Sequence, residues 1–76
     1  MTRTYTIVLD PDVEEGGYTV LVPALPGCVT QGKSVEQCVE RAQEAIALHI
    51  AALLEDGESV PEEQERPQLL TVTVPA

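Results

Sequence analysis

Residues 35–56 run without a single Gly or Pro, open directly after Ser34 and close directly before Gly57. That stretch predicts one long helix, and it constrains everything else the chain can do. Ser34 suits the N-cap, and Gln37 three residues later completes a capping-box pattern. Glu36 puts negative charge in the first turn, where the helix dipole favours it. Val35, Val39, Ala42, Ile46, His49 and Leu53 recur at spacings of three and four, and Cys38, Ala45 and Ile50 widen the stripe. Glu36, Glu40, Gln43, Glu44 and Ala47 fall on the opposite side, and Gly57 suits the C′ position. The remaining residues must form the surface that covers the apolar stripe.

They read as strands. Thr4–Leu9 is almost wholly β-branched or aromatic, and alternation places Tyr5, Ile7 and Leu9 on one face. Asp10-Pro11-Asp12 reads as a breaker, and Glu14-Glu15-Gly16-Gly17 as a polar turn. Tyr18–Val22 is a second strand, close enough to the first for an antiparallel hairpin. Pro23-Ala24-Leu25-Pro26-Gly27 is a rigid connector to a short third strand, Cys28–Gln31. After the helix, six of the twelve residues 55–66 are acidic, which predicts an exposed return loop. Leu69–Val74 alternates again and predicts a last strand. The expectation is a single α+β domain over residues 1–76. In it, a small antiparallel sheet carries one helix on one face, in the order β-β-β-α-β. The second sheet face would be rich in Thr, with Val8 and Leu21 among them. Those two residues, or an edge strand, could meet a second copy.

Composition limits the function classes. Only Arg3, Lys33, Arg41 and Arg66 are basic, against 13 acidic residues, for a net charge of -9. Phosphate contacts come mainly from Lys and Arg, so direct nucleic-acid binding is disfavoured. The acid serves solubility, or steers a basic protein partner. There is no Trp or Phe, and a chain this short buries little core, which favours a homo-oligomer. No apolar leader and no run of 18 apolar residues is present, so a cytoplasmic protein off the membrane is expected.

No residue pattern supports catalysis, a metal or a cofactor. Asp10, Asp12 and Glu14 alternate, but a calcium loop begun at Asp10 would need Gly and Glu where Glu15 and Leu21 stand. A two-metal nuclease needs carboxylates converging from several elements, and only Asp10 sits like a strand-end acid. His49 is the lone histidine and lies on the helix stripe, which suits packing or an interface. Cys28 and Cys38 read as small buried hydrophobes, although a cysteine in a first helical turn can be activated. Gly16-Gly17 leads into a strand, so no phosphate loop is formed.

One string is distinctive. Pro23, Leu25, Pro26, Gly27, Cys28, Thr30, Gln31 and Gly32 spell P-x-L-P-G-C-x-T-Q-G, followed by the capped helix and Leu53-Leu54-Glu55-Asp56-Gly57-Glu58-Ser59-Val60-Pro61. From Tyr5 to Pro61 the chain resembles the N-terminal domain of HicB antitoxins, and the last strand matches by position. The resemblance implies a partly degraded RNase H-like fold. It also implies a partner, a small basic HicA-type mRNA interferase neutralised by occlusion of its catalytic histidine and RNA-binding surface. HicB antitoxins usually continue into a C-terminal DNA-binding segment. This chain stops at Ala76, so autoregulation is not carried over.

On that reading the partner-binding candidates are Glu36, Glu40 and Glu44 on the outer helix face, with Glu62, Glu63 and Glu65 in the acidic loop. Two alternatives remain open. One is a stand-alone homo-oligomer of another role; the other is a metal-dependent RNase H-like nuclease centred on Asp10.

Overall fold

The computed structural model describes residues 2–75. Three strands form an antiparallel sheet in the order β1-β2-β3: β1 is Val8–Pro11, β2 Tyr18–Leu21 and β3 Val29–Gly32. One helix follows, α1, Val35–Glu55. The α+β class, the antiparallel pairing and the single helix on one sheet face agree with the sequence reading.

The register explains where β1 begins and ends. Val8 pairs with Leu21 and Pro11 with Tyr18. The turn bond from Asp12 N–H to Gly17 C=O, 2.9 Å, continues this ladder. Antiparallel residues that exchange bonds alternate along a strand. Even-numbered residues of β1 therefore bond to β2, and Ile7, Leu9 and Pro11 turn their backbone groups outward. Pro11 was expected to break the strand. It is accommodated because its missing N–H would have faced away from the sheet, where an edge strand tolerates proline. The hairpin closes at Asp12, whose Oδ1 accepts from the N–H groups of Glu14 (3.1 Å) and Glu15 (3.0 Å). Residues 4–7 are extended but unladdered, because β2 ends at Leu21 and Pro23 cannot continue it.

The helix caps behave nearly as expected. Ser34 Oγ accepts from Gln37 N–H at 3.1 Å, while Gln37 Oε1 reaches back one residue further, to Lys33 N–H at 2.7 Å. At the other end Gly57 has φ of +72°, its N–H donates to Leu54 C=O, and Glu58 N–H donates to Leu53 C=O. This is the Schellman arrangement, which satisfies two terminal carbonyls.

The core lies between α1 and the sheet. Val20, Cys38 and Ala42 are buried together, with Ile7, Leu9, Tyr18 and Ile46 packed against them. A second cluster joins Val22, Leu25 and Cys28, flanked by Tyr5, Ala45 and Ile46. Leu25 is fully buried, so the proline connector folds inward as a plug. It is held by Leu25 N–H to Val22 C=O and Cys28 N–H to Leu25 C=O, both 3.0 Å. Gly32 lets the helix settle onto β3, because a Cβ there would lie 2.8 Å from Cys38 Sγ and 2.9 Å from Cys38 N.

The last expected strand is not formed within the chain. Residues 69–74 carry no ladder, and Leu70 and Val72 are 83% and 86% exposed. The observed order is β-β-β-α. Alternation is present in these residues, but within one molecule they pair with no sheet edge.

Candidate partner-binding surface

The outer face of α1 is acidic in its first half. Glu36, Glu40 and Glu44 recur every fourth residue and all three are exposed. Such spacing puts side chains on one side of a helix, drifting slowly round it. Like charges at this spacing repel, so the row carries a net negative potential, with Arg41 the one cation of α1 near it. The only ion pair among the described residues is elsewhere, between Arg66 and Glu63. In the second half of α1 the outer face turns apolar, and Leu48 and Leu54 are exposed there.

The acidic loop divides into two kinds of residue. Glu62 and Glu65 are exposed. Glu63 is turned into the chain, with a side chain only 4% exposed. Its Oε1 accepts from Thr6 N–H at 2.7 Å and its Oε2 from Thr6 Oγ1 at 2.8 Å, while Arg66 pairs with it from outside. These bonds, the Thr6 N–H first, hold its carboxyl below the ordinary glutamate range despite partial desolvation. Thr6 N–H points toward the line of β2, which Pro23 has vacated, and the same hollow is lined by Pro23, Ala24 and Glu63. The carboxylate thus replaces a missing strand partner. Close by, Tyr5 Oη donates to Pro61 C=O at 2.6 Å. Sequence spacing could not reveal these contacts, since the partners lie 56 and 57 residues apart.

The groups considered for chemistry are dispersed. Asp10 is exposed near the end of β1, while the Oδ1 of Asp12 is engaged in the hairpin turn. Among the described residues no three His, Cys, Asp or Glu side chains gather as a metal site. Cys38 and His49 are eleven residues apart on one helix, about 16 Å along its axis, too far to act together. Both cysteines are free and buried, and burial pushes the Cys28 thiol upward. A polar hollow between the hairpin and α1 is lined by Asp12, Glu15, Gln31, Lys33, Gln37 and Arg41. It mixes both signs of charge, and its lining contains no Ser, Cys or His. No helix among the described residues is long and apolar enough to cross a membrane.

Comparison with known proteins places this geometry. The profile of a family described as "HicB_like antitoxin of bacterial toxin-antitoxin system" matches residues 5–72. A UPF0150 protein of Archaeoglobus fulgidus is 47% identical over 58 residues, which cover 74% of this chain and 83% of that protein. A UPF0150 protein of Thermoplasma acidophilum is 44% identical over 57 residues, covering 75% and 81%. A protein named Antitoxin HicB 1 from Photorhabdus laumondii is 40% identical over 57 residues, covering 75% of this chain and 36% of that one. The chain thus matches most of the short UPF0150 proteins and about a third of the longer antitoxin.

Proposed function

Because the chain belongs to the HicB-like antitoxin family of bacterial toxin–antitoxin systems, we propose that it is a non-catalytic binding module that neutralises a small basic toxin of HicA type. The observation that carries the reading is the exposed row Glu36, Glu40 and Glu44, three carboxylates at helical spacing, none of them in an ion pair among the described residues. A basic toxin must keep its RNA-binding surface positive to hold phosphates. A rigid acidic ridge competes for that surface and steers the encounter. Glu62 and Glu65 add charge from the acidic loop. Glu63 contributes indirectly, by fixing that loop to Thr6. Occlusion then needs no chemistry from the antitoxin, only a surface that excludes RNA.

Co-purification with a HicA-type toxin, including one encoded next to this gene, tests the proposal. Binding is expected to weaken steeply as salt rises. Replacing Glu36, Glu40 and Glu44 together by Gln is expected to raise Kd by about tenfold to a hundredfold, chiefly through slower association. No binding to any such toxin at low salt refutes the proposal. Binding that is insensitive both to salt and to the triple substitution refutes the electrostatic mechanism.

A further inference from the structure

We propose that residues Leu69–Val74 are a strand donated to a second copy of this chain, where they add to the outer edge of β1 beneath α1. Three observations carry this, and none depends on toxin recognition.

The first is the segment itself. Leu69-Leu70-Thr71-Val72-Thr73-Val74 has strand composition and strict alternation after its first residue, yet its four aliphatic side chains stand exposed. An extended apolar strand with free backbone groups is a template for pairing. The molecule is correspondingly elongated, with principal extents of 47 × 26 × 20 Å.

The second is an acceptor on the same polypeptide. The register leaves the backbone groups of Ile7 and Leu9, and the Pro11 carbonyl, aimed outward from β1. Beside this edge an open groove of about 300 Å³ runs between the N-terminal segment and the helix, lined chiefly by Tyr5, Ile7, Val39, Ala42 and Ile46, with Arg3 at its margin. A strand added there satisfies the edge and slides alternate side chains under the uncovered flank of α1. The sheet would then become four-stranded.

The third is charge. Each copy carries -9, so two copies repel except where acid is absent. Residues 67–74 contain no charged side chain, and the groove contains no acid, its one charged lining residue being the basic Arg3. A basic toxin would gain nothing electrostatic from this neutral strand. A second copy supplies both the strand and the groove, so reciprocal exchange closes as a two-fold dimer. The bonds of Tyr5 to Pro61 and Thr6 to Glu63 fix where the strand departs, and the chain does not fold back onto its own β1.

Sedimentation equilibrium of the full chain at micromolar concentration, with isotope-filtered NOE spectra of a mixture of labelled and unlabelled copies, tests this. A dimer is expected, with intermolecular NOEs from the methyls of Leu70 or Val72 to Ile7 or Val39. Val72→Pro is expected to raise the dimer dissociation constant by about a hundredfold or more, since proline both removes a donor and disrupts the added ladder. A monomeric wild-type chain overturns the proposal. So do NOEs showing residues 69–74 packed on their own β1, or a dimer held through Leu48 and Leu54 that Val72→Pro leaves intact. The NOE experiment uses the unaltered chain, so it decides the matter even if the variant fails to fold.

Discussion

Glu63 holds Thr6 twice, through the backbone N–H at 2.7 Å and through the hydroxyl at 2.8 Å. This pair ties the return loop to the first extended segment and sets where residues 67–75 leave the body. Its strength depends on the ionised carboxylate, which accepts both bonds. The folded state holds the Glu63 carboxyl below its usual range, so its contribution is complete above the unfolded value of about 4.3 and is lost as pH falls through the folded value. We expect the Thr6 amide resonance to titrate below the ordinary glutamate range. We also expect Glu63→Gln to abolish that titration and speed hydrogen exchange at Thr6, with the α1 amides unchanged.

Gly32 and Cys38 bring β3 and α1 into close approach. A methyl group at position 32 would lie 2.9 Å from Cys38 N and 3.1 Å from its Cα, so backbone atoms, not a flexible side chain, would have to move. Gly32→Ala is therefore expected to cost about 1–3 kcal/mol. Thermal unfolding should show a drop of roughly 4–8 °C for each kcal/mol in a chain of this size. A neutral result would mean that the helix is less firmly seated on β3 than its buried Val20, Cys38 and Ala42 imply.

The Ser34 cap gives a smaller and separable effect. Ser34→Ala removes the acceptor for Gln37 N–H, an exposed bond, and should cost about 1 kcal/mol. Ser34→Asp should retain most of the stability, because a carboxylate caps equally well and favours the helix N-terminus. Chemical denaturation of the three proteins would rank them, with the slope m unchanged.

How far the sequence could be read follows from which interactions are local. Ser34 and Gly57 bound the helix because caps are set by neighbouring residues, and both ends agree with the sequence reading within one residue. Pro11 misled because its effect depends on which side of β1 its nitrogen faces, a property of register. Leu25 was hidden between prolines that mark a connector. Only its burial with Val22 and Cys28, in a cluster flanked by Tyr5, Ile7, Ala45 and Ile46, makes it core, so the string P-x-L-P-G-C works as a folding plug. Glu63 looked like its acidic neighbours, and only the distant Thr6 sets it apart. The alternation of residues 69–74 was legible, but pairing needs an edge, and no local signal says which molecule provides it.

The two cysteines should be chemically silent in the folded protein. Cys38 is fully buried, Cys28 nearly so, and desolvation raises the Cys28 thiol further from the thiolate that reagents require. Treatment with a thiol-reactive disulfide reagent should label neither residue in native buffer and both in denaturant. Rapid native labelling of Cys38 would mean that α1 detaches from β3 on the timescale of the reaction.

Leu25 and Leu70 form the sharpest contrast, since they are the same residue type at the two extremes of burial, 0% and 83% exposed. Truncating a buried leucine costs about 2–5 kcal/mol through lost transfer energy and the cavity left behind. A small domain has little more than this in total, so Leu25→Ala should leave much of the chain unfolded at 25 °C. Leu70 is largely exposed within one chain, so fluorescence or circular dichroism of a dilute sample of Leu70→Ala should show stability within about 0.5 kcal/mol of the parent. At higher concentration the two should diverge in a second way. If the strand exchange proposed above operates, the parent gains stability from association by mass action, and Leu70→Ala should gain less. A concentration series of melting temperatures thus separates what Leu25 does inside one molecule from what Leu70 does between two.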